Sequence, residues 1–155
     1  MKTHAEYRDE GIIAQDITAN RFSKRFDPNI YDFIVSEFGS ERDYMDKVDF
    51  TVINKLTGEK QEYDAKSTEK EDEITYTYQN GNNEKSLIFK KQFHVDLIFT
   101  FAGYKIAYMV HAKDFYPVLL DRIRNNRSEP SHLVPGSRFI RLTKEEIEQL
   151  AYDTF

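Results

Sequence analysis

At 155 residues, with 39% hydrophobic and 32% charged side chains, the chain is sized for one domain around a single core. Apolar material that includes 10 Tyr and 12 Phe excludes wholesale disorder, and the absence of cysteine excludes disulfides, thiolate zinc sites and a cysteine nucleophile. A formal net charge of −5 means that a polyanion would have to be held by a local basic surface rather than by overall attraction.

The first ten residues are polar and acidic, and no uninterrupted apolar stretch approaches membrane-spanning length. The expectation is an intracellular, cytoplasmic single domain over residues 1–155, with no signal peptide and no membrane partner. Residues 5–26 read as an amphipathic helix: Ile12, Ala19, Phe22 and Phe26 recur at helical spacings, and Ile13 and Ile17 widen the apolar face. Asp27-Pro28 ends it, because a residue before proline is pushed out of the helical region. A short helix is expected over 29–38, with Tyr31, Ile34, Val35 and Phe38 inward and Gly39 as its C-cap, followed by a charged connector over 43–47.

Residues 48–54 and 61–68 alternate as strands, with turn chemistry in Leu56-Thr57-Gly58-Glu59 between them. A second hairpin is expected from Ile74, Tyr76 and Tyr78 through Asn80-Gly81 to Leu87 and Phe89. The apolar runs 94–101 and 104–111, separated by Ala102-Gly103, are the best candidates for buried strands. Asp114 opens a helix over 115–124 that tolerates Pro117 in its first turn. Residues 125–135 are loop-like, 139–142 extended, and Thr143-Lys144-Glu145-Glu146 is a capping box that starts a last helix. The element order is mixed α/β or α+β.

One grouping carries chemistry: Asp49 in the first strand, and Asp64-Ala65-Lys66 in the second. A composition of this kind yields about two acid-x-Lys triplets by chance, so the tripeptide alone decides nothing. Placement is what counts. Alternate strand residues share a face, so Asp64 and Lys66 project together, and a hairpin centred on Thr57-Gly58 sets Asp49 across from Lys66 and diagonal to Asp64. Two carboxylates beside a lysine suit Mg²⁺ or Mn²⁺ bound by hard oxygen ligands, with the lysine orienting water or offsetting charge on a phosphodiester. The alternative from spacing alone is an ordinary surface ion pair on the solvent face of a hairpin.

Val48-Asp49-Phe50-Thr51-Val52-Ile53, a turn containing Gly58, and Glu62-Tyr63-Asp64-Ala65-Lys66-Ser67 together resemble the core of the PD-(D/E)XK nuclease superfamily. Gly11-Ile12-Ile13-Ala14-Gln15 on the first helix is similar to the family's Gly-x-x-Ala-Glu pattern, with Gln15 in place of the acid, and Val95-Asp96-Leu97-Ile98-Phe99 is similar to a later core strand. The resemblance implies a restriction-endonuclease-like αβββαβ core, a central mixed sheet flanked by helices, here with an extra β-hairpin. It implies a Mg²⁺-dependent endonuclease acting on DNA, with Mn²⁺ substituting. Asp49 and Asp64 would bind the metal with the Ala65 carbonyl, Lys66 would be the catalytic lysine, and Gln15 would support the site. It also implies a homodimer, since cutting both strands of a duplex takes two sites.

Phosphate contacts would come from basic clusters: Arg21, Lys24 and Arg25; Lys90 and Lys91; and Arg122, Arg124 and Arg127, with Arg138 and Arg141 as a further pair. His94 and His111 are expected as strand-end residues, and no serine sits in a nucleophile-elbow context. Two rivals remain on composition: a nuclease-fold binding module that has lost catalysis, favoured by Gln15 and the net charge, and an acidic protein-interaction domain.

Overall fold

The computed structural model describes residues 3–36, 48–80, 84–85, 93–125, 127–131 and 135–155. The chain begins with α1 (His4–Ser23), where the Thr3 side chain caps the first turn by accepting from the Glu6 amide at 3.2 Å. The helix ends three residues before the expected boundary. Asp27 then turns the chain: its carboxylate accepts from the Asn29 amide at 2.9 Å and its carbonyl from Ile30 and Tyr31.

Residues 31–35 are a strand, β1 (Tyr31–Val35), not the helix expected over 29–38. The run carries both periodicities, and pairing decides between them. β1 lies antiparallel to β2 (Phe50–Asn54), from Tyr31 opposite Asn54 to Val35 opposite Phe50. In that conformation Tyr31 and Phe33 share one face and pack on the core, while Ile34, which a helix would have buried, is 49% exposed. The expected cap at Gly39 and the connector over 43–47 lie outside the described residues.

The central sheet has six strands in the order β1-β2-β3-β6-β7-β10, with β3 (Lys60–Ser67), β6 (Val95–Phe101), β7 (Ile106–Val110) and β10 (Asp153–Thr154). β3 and β6 run parallel, and the other neighbours are antiparallel, so the sheet is mixed. The run 94–101 is buried along the whole of β6, as continuous apolarity at a sheet centre requires.

Helix α1 covers one face of this sheet. Ala19 and Phe22 pack against Phe50, Val52, Tyr63, Ile98, Ala107 and Met109. Phe22 is the centre of that layer, with the rings of Phe26, Phe33, Phe50, Tyr63 and Phe155 at 4.8–6.1 Å. Phe155 packs against this layer and exchanges two backbone hydrogen bonds with Ala107 at 2.8 and 2.9 Å.

The opposite face is covered by α2 (Ala112–Arg124), α3 (Lys144–Leu150) and a second, four-stranded antiparallel sheet. That sheet has the order β5-β4-β9-β8, from β4 (Glu73–Asn80), β5 (Glu84–Lys85), β8 (Ser128–Pro130) and β9 (Arg138–Thr143). Leu97, Phe99, Phe101 and Val110 meet Ile74, Tyr76, Phe115, Leu119, Ile140, Leu142 and Ile147 there. β4 pairs with β5 at Gln79 and Asn80, but its long partner is β9, with Tyr76 opposite Ile140. The expected return strand at Leu87 and Phe89 lies outside the described residues. Among the described residues between β3 and β6 the only regular elements are the strands β4 and β5, and α2 comes only after β7. The capping box at Thr143 forms as expected, with the hydroxyl accepting from the Glu146 amide at 3.2 Å.

Candidate active site

The loop between β2 and β3 sets the geometry. The Asn54 side chain accepts from the amides of Leu56 and Thr57 at 2.9 and 3.2 Å, and Gly58 takes φ 74°, a value that glycine adopts without cost. This turn centres on Leu56-Thr57, so Phe50 opposes Tyr63 and Thr51 opposes Glu62. The expected register, with Asp49 across from Lys66, is therefore offset by two residues. A two-residue offset preserves the face, and carried one step further it sets Asp49 beside Asp64 with Lys66 diagonal.

Asp49 sits just ahead of β2 and is stitched to both neighbours. Its amide donates to the Tyr63 carbonyl at 2.8 Å, and its carbonyl accepts from the Ser36 amide at 2.8 Å. Its carboxylate Oδ2 accepts from the Ala65 amide at 2.7 Å, a charge-assisted bond that places the acid on the backbone between Asp64 and Lys66. In an extended strand the N–H and C=O of one residue point to the same edge, so the Ala65 carbonyl is directed to the side on which Asp49 lies.

Asp64 is only 7% exposed. It faces the second sheet, so the surface-pair alternative does not describe it. The Lys66 ammonium is 3.3 Å from Asp64 Oδ1 and 5.7 Å from the centroid of the Tyr76 ring. Burial alone would push this ammonium down; Asp64, with Tyr76 and Asp49, more than offsets that and holds it above the ordinary lysine range. Lys66 is thus a fixed cation beside two acids. Gln15 reaches the same region from α1: its Nε2 donates to the Ser36 carbonyl at 3.2 Å. Since the Ser36 amide in turn bonds Asp49, Gln15 braces the strand end that carries the acid.

Two side chains of this site escaped the sequence reading. Glu62, buried and one alternation before Asp64, puts a third acid on the same face, paired with Lys60 at 3.5 Å. The period-two pattern Glu62-x-Asp64-x-Lys66 is the signal that would have found it. Tyr76 comes from the second sheet, and no local pattern announces it.

The basic residues are dispersed. Arg122 is the exception to the expected phosphate surface: it is buried and paired with Glu146, and burial together with the nearby Arg127 guanidinium pushes its pKa down. Arg25 pairs with Asp153, and its guanidinium and that of Arg21 lie 4.9 and 5.7 Å from the Phe155 ring centroid. Lys24, Arg124 and Arg127 are exposed. Lys90 and Lys91 lie outside the described residues. A cleft of about 280 Å³ is lined by Arg122, Arg127, Ser128, Glu129 and Arg141; there Arg141 is already held by Glu129 at 2.5 Å and Glu73 at 2.7 Å.

A separate polar cluster sits at the start of β6, where Asp96 lies opposite Tyr63, on the other face of the sheet from Asp64. His111 occupies the N-cap position of α2 without a side-chain capping bond, and its Nδ1 lies 3.2 and 3.3 Å from the Asp96 carboxylate oxygens. Tyr152 donates its hydroxyl to Asp96 at 2.9 Å and stacks on His111 at 3.9 Å. Burial, and then the Asp96 charge, push both the Tyr152 and Tyr63 phenols up, Tyr63 to about 12.

No helix among the described residues is long and apolar enough to cross a membrane. No protein-family model matches the chain, and no curated protein matches it. Among solved structures, the chain is similar to D212, a nuclease from a fusselovirus, with a TM-score of 0.46 and 12% identity, over 94% of this chain and 87% of that one.

Proposed function

We propose that this chain is a metal-dependent endonuclease that hydrolyses DNA phosphodiester bonds at the Asp49–Asp64–Lys66 site. The observation that carries the reading is the placement of Asp49 on the Ala65 amide, beside a buried Asp64 held by Lys66. A carboxylate in the interior costs free energy unless it is paired or used, and here two acids are brought to one short stretch of backbone.

The donor set fits a hard divalent cation. Asp49, Asp64 and the Ala65 carbonyl offer oxygen ligands only, and Mg²⁺ retains water in its other positions; Mn²⁺ substitutes for it. Among the described residues no group of three or more His, Cys, Asp or Glu side chains is gathered as a metal cage. When bound, the ion supplies charge to the phosphoryl group and acidifies water. Lys66, held cationic by Asp64, offsets negative charge on the phosphate and orients the attacking water. Asp64 keeps the ammonium in place, and Gln15 keeps Asp49 in place through Ser36. Arg124, Arg127 and Lys24 supply phosphate contacts that position the duplex. Two copies of the chain would cut the two strands.

The test is cleavage of plasmid, linear, branched and single-stranded DNA with Mg²⁺ or Mn²⁺ against EDTA, for the wild type, Lys66→Ala and Asp64→Asn. Cutting that needs metal and disappears in both variants is the expected result, with Mn²⁺ binding by calorimetry lost in Asp64→Asn. Unchanged Mn²⁺ binding in that variant refutes the assigned ligands.

One observation favours a second reading, a binding module on the same scaffold without catalysis. Gln15 donates its amide hydrogen to a carbonyl, a role that an ionised acid cannot fill, so the helix contributes bracing rather than a further metal ligand. Salt-sensitive DNA binding with no cleavage and no Mn²⁺ binding identifies that case.

A further inference from the structure

We propose that Tyr76 is a positioning residue, its ring face holding the Lys66 ammonium against Asp64. The placement rests on geometry alone, and its catalytic consequence rests on the nuclease reading above.

Lysine has a flexible four-carbon stem and a point charge that many rotamers can deliver to different places. At this site two constraints select one of them. Asp64 holds the ammonium at 3.3 Å from within β3, and the Tyr76 ring lies 5.7 Å from it, inside the reach of about 6 Å at which a ring face attracts a cation. The ring is itself immobilised. Tyr76 is 1% exposed, and the Phe115 ring of α2 meets it edge-on at 4.9 Å, backed by Phe99 at 5.5 Å from Phe115. Phe99 is also the residue opposite Lys66 in the parallel pair of β3 and β6. One packed column, from Phe99 through Phe115 to Tyr76, thus flanks the lysine.

The topology explains why the second sheet is needed. β3 and β6 are adjacent and parallel, so the chain must leave the sheet between them, and the described part of that excursion includes β4. β4 pairs with β9, which fixes Tyr76 opposite Ile140 and inward over the β3 face. The second sheet therefore supplies one wall beside the cation as well as an outer layer.

The experiment compares the wild type, Tyr76→Phe, Tyr76→Leu and the smaller perturbation Tyr76→Met in protein carrying ¹³C-labelled lysine. The Lys66 Cε–H signal is identified by its loss in Lys66→Ala. A ring facing the ammonium moves this signal upfield in the wild type and in Tyr76→Phe, and the signal returns toward the free-lysine position in Tyr76→Leu and Tyr76→Met. In Mg²⁺-dependent DNA cleavage, kcat falls roughly tenfold in the variants lacking the ring, with KM unchanged, and Tyr76→Phe restores it. A wild-type Lys66 signal at the free-lysine position overturns the placement, whether or not the ring-free variants fold. Wild-type kcat in Tyr76→Met or Tyr76→Leu, in a protein whose Lys66→Ala variant is inactive, overturns the positioning role. Failure of the nuclease reading looks different: the wild type neither cuts DNA nor binds Mn²⁺, and the lysine signal still decides whether the ring holds the ammonium.

Discussion

Replacing Lys66 by methionine isolates the electrostatics of the site. The stem is nearly preserved, but Asp64, 7% exposed, and Asp49 then share one stretch of backbone without the ammonium. At 3.3 Å and an effective dielectric of about 20 the lost attraction is about 5 kcal/mol before desolvation is counted. Removing one partner of a fully buried pair costs about 3–5 kcal/mol; the Lys66 side chain is 31% exposed, and the water that reaches it reduces this to about 2 kcal/mol. For a domain of this length the corresponding fall in Tm is about 4–8 °C at pH 7. The deficit depends on carboxylate charge. Thermal melts of both proteins at pH 7, monitored by circular dichroism, measure this directly. Adding Asp64→Asn to Lys66→Met should recover most of the loss at pH 7. No deficit at pH 7, or no recovery in the double variant, would refute the account of Asp64 and Lys66 as a coupled interior pair.

Tyr63, pushed up to about 12 by burial and Asp96, keeps a proton that the unfolded chain gives up near about 10, so this contribution to stability is complete below pH 10 and is lost as pH rises to 12, by about 2–3 kcal/mol. Urea midpoints over that window, with phenolate absorbance as the titration readout, check it; tyrosines that all titrate near 10 in the folded chain would sink the claim. Phe22→Ala removes the ring around which five others pack and should cost about 3–5 kcal/mol by denaturant unfolding, while Ile13→Ala, on the exposed side of the same helix, should change stability by less than about 0.5 kcal/mol. If DNA phosphates meet the loop after α2, Arg127→Ala should lower the slope of log K against log salt by about 1, whereas Arg122→Met should leave the slope unchanged and lower stability instead.

Much of this molecule is written in local sequence. The helix at the start, the strands β2, β3, β6 and β7 and the capping box at Thr143 each follow from patterns within a dozen residues, because side-chain periodicity and turn chemistry act at that range, although Ile13 and Ile17, expected on the apolar face, are exposed, and the helix expected to open at Asp114 starts at Ala112. The shared face of Asp64 and Lys66 is equally local, since alternation along one strand is a backbone property. Three features were not legible in those patterns, two of them because they depended on distant partners. Residues 31–35 are helical by spacing and became a strand because β2 offered them a ladder, and only the folded chain has that ladder. The position of Asp49 followed from the Asn54 turn, whose side-chain hydrogen bonds moved the hairpin centre by one residue and exchanged which partner Asp49 opposes. The wall beside Lys66 came from Tyr76, brought to it by pairing between β4 and β9, strands separated by most of the second half of the chain. Local chemistry chose the residues that face one another along a strand, while burial and long-range pairing decided which of them meet, because only packing sets the distance between elements that the sequence keeps apart.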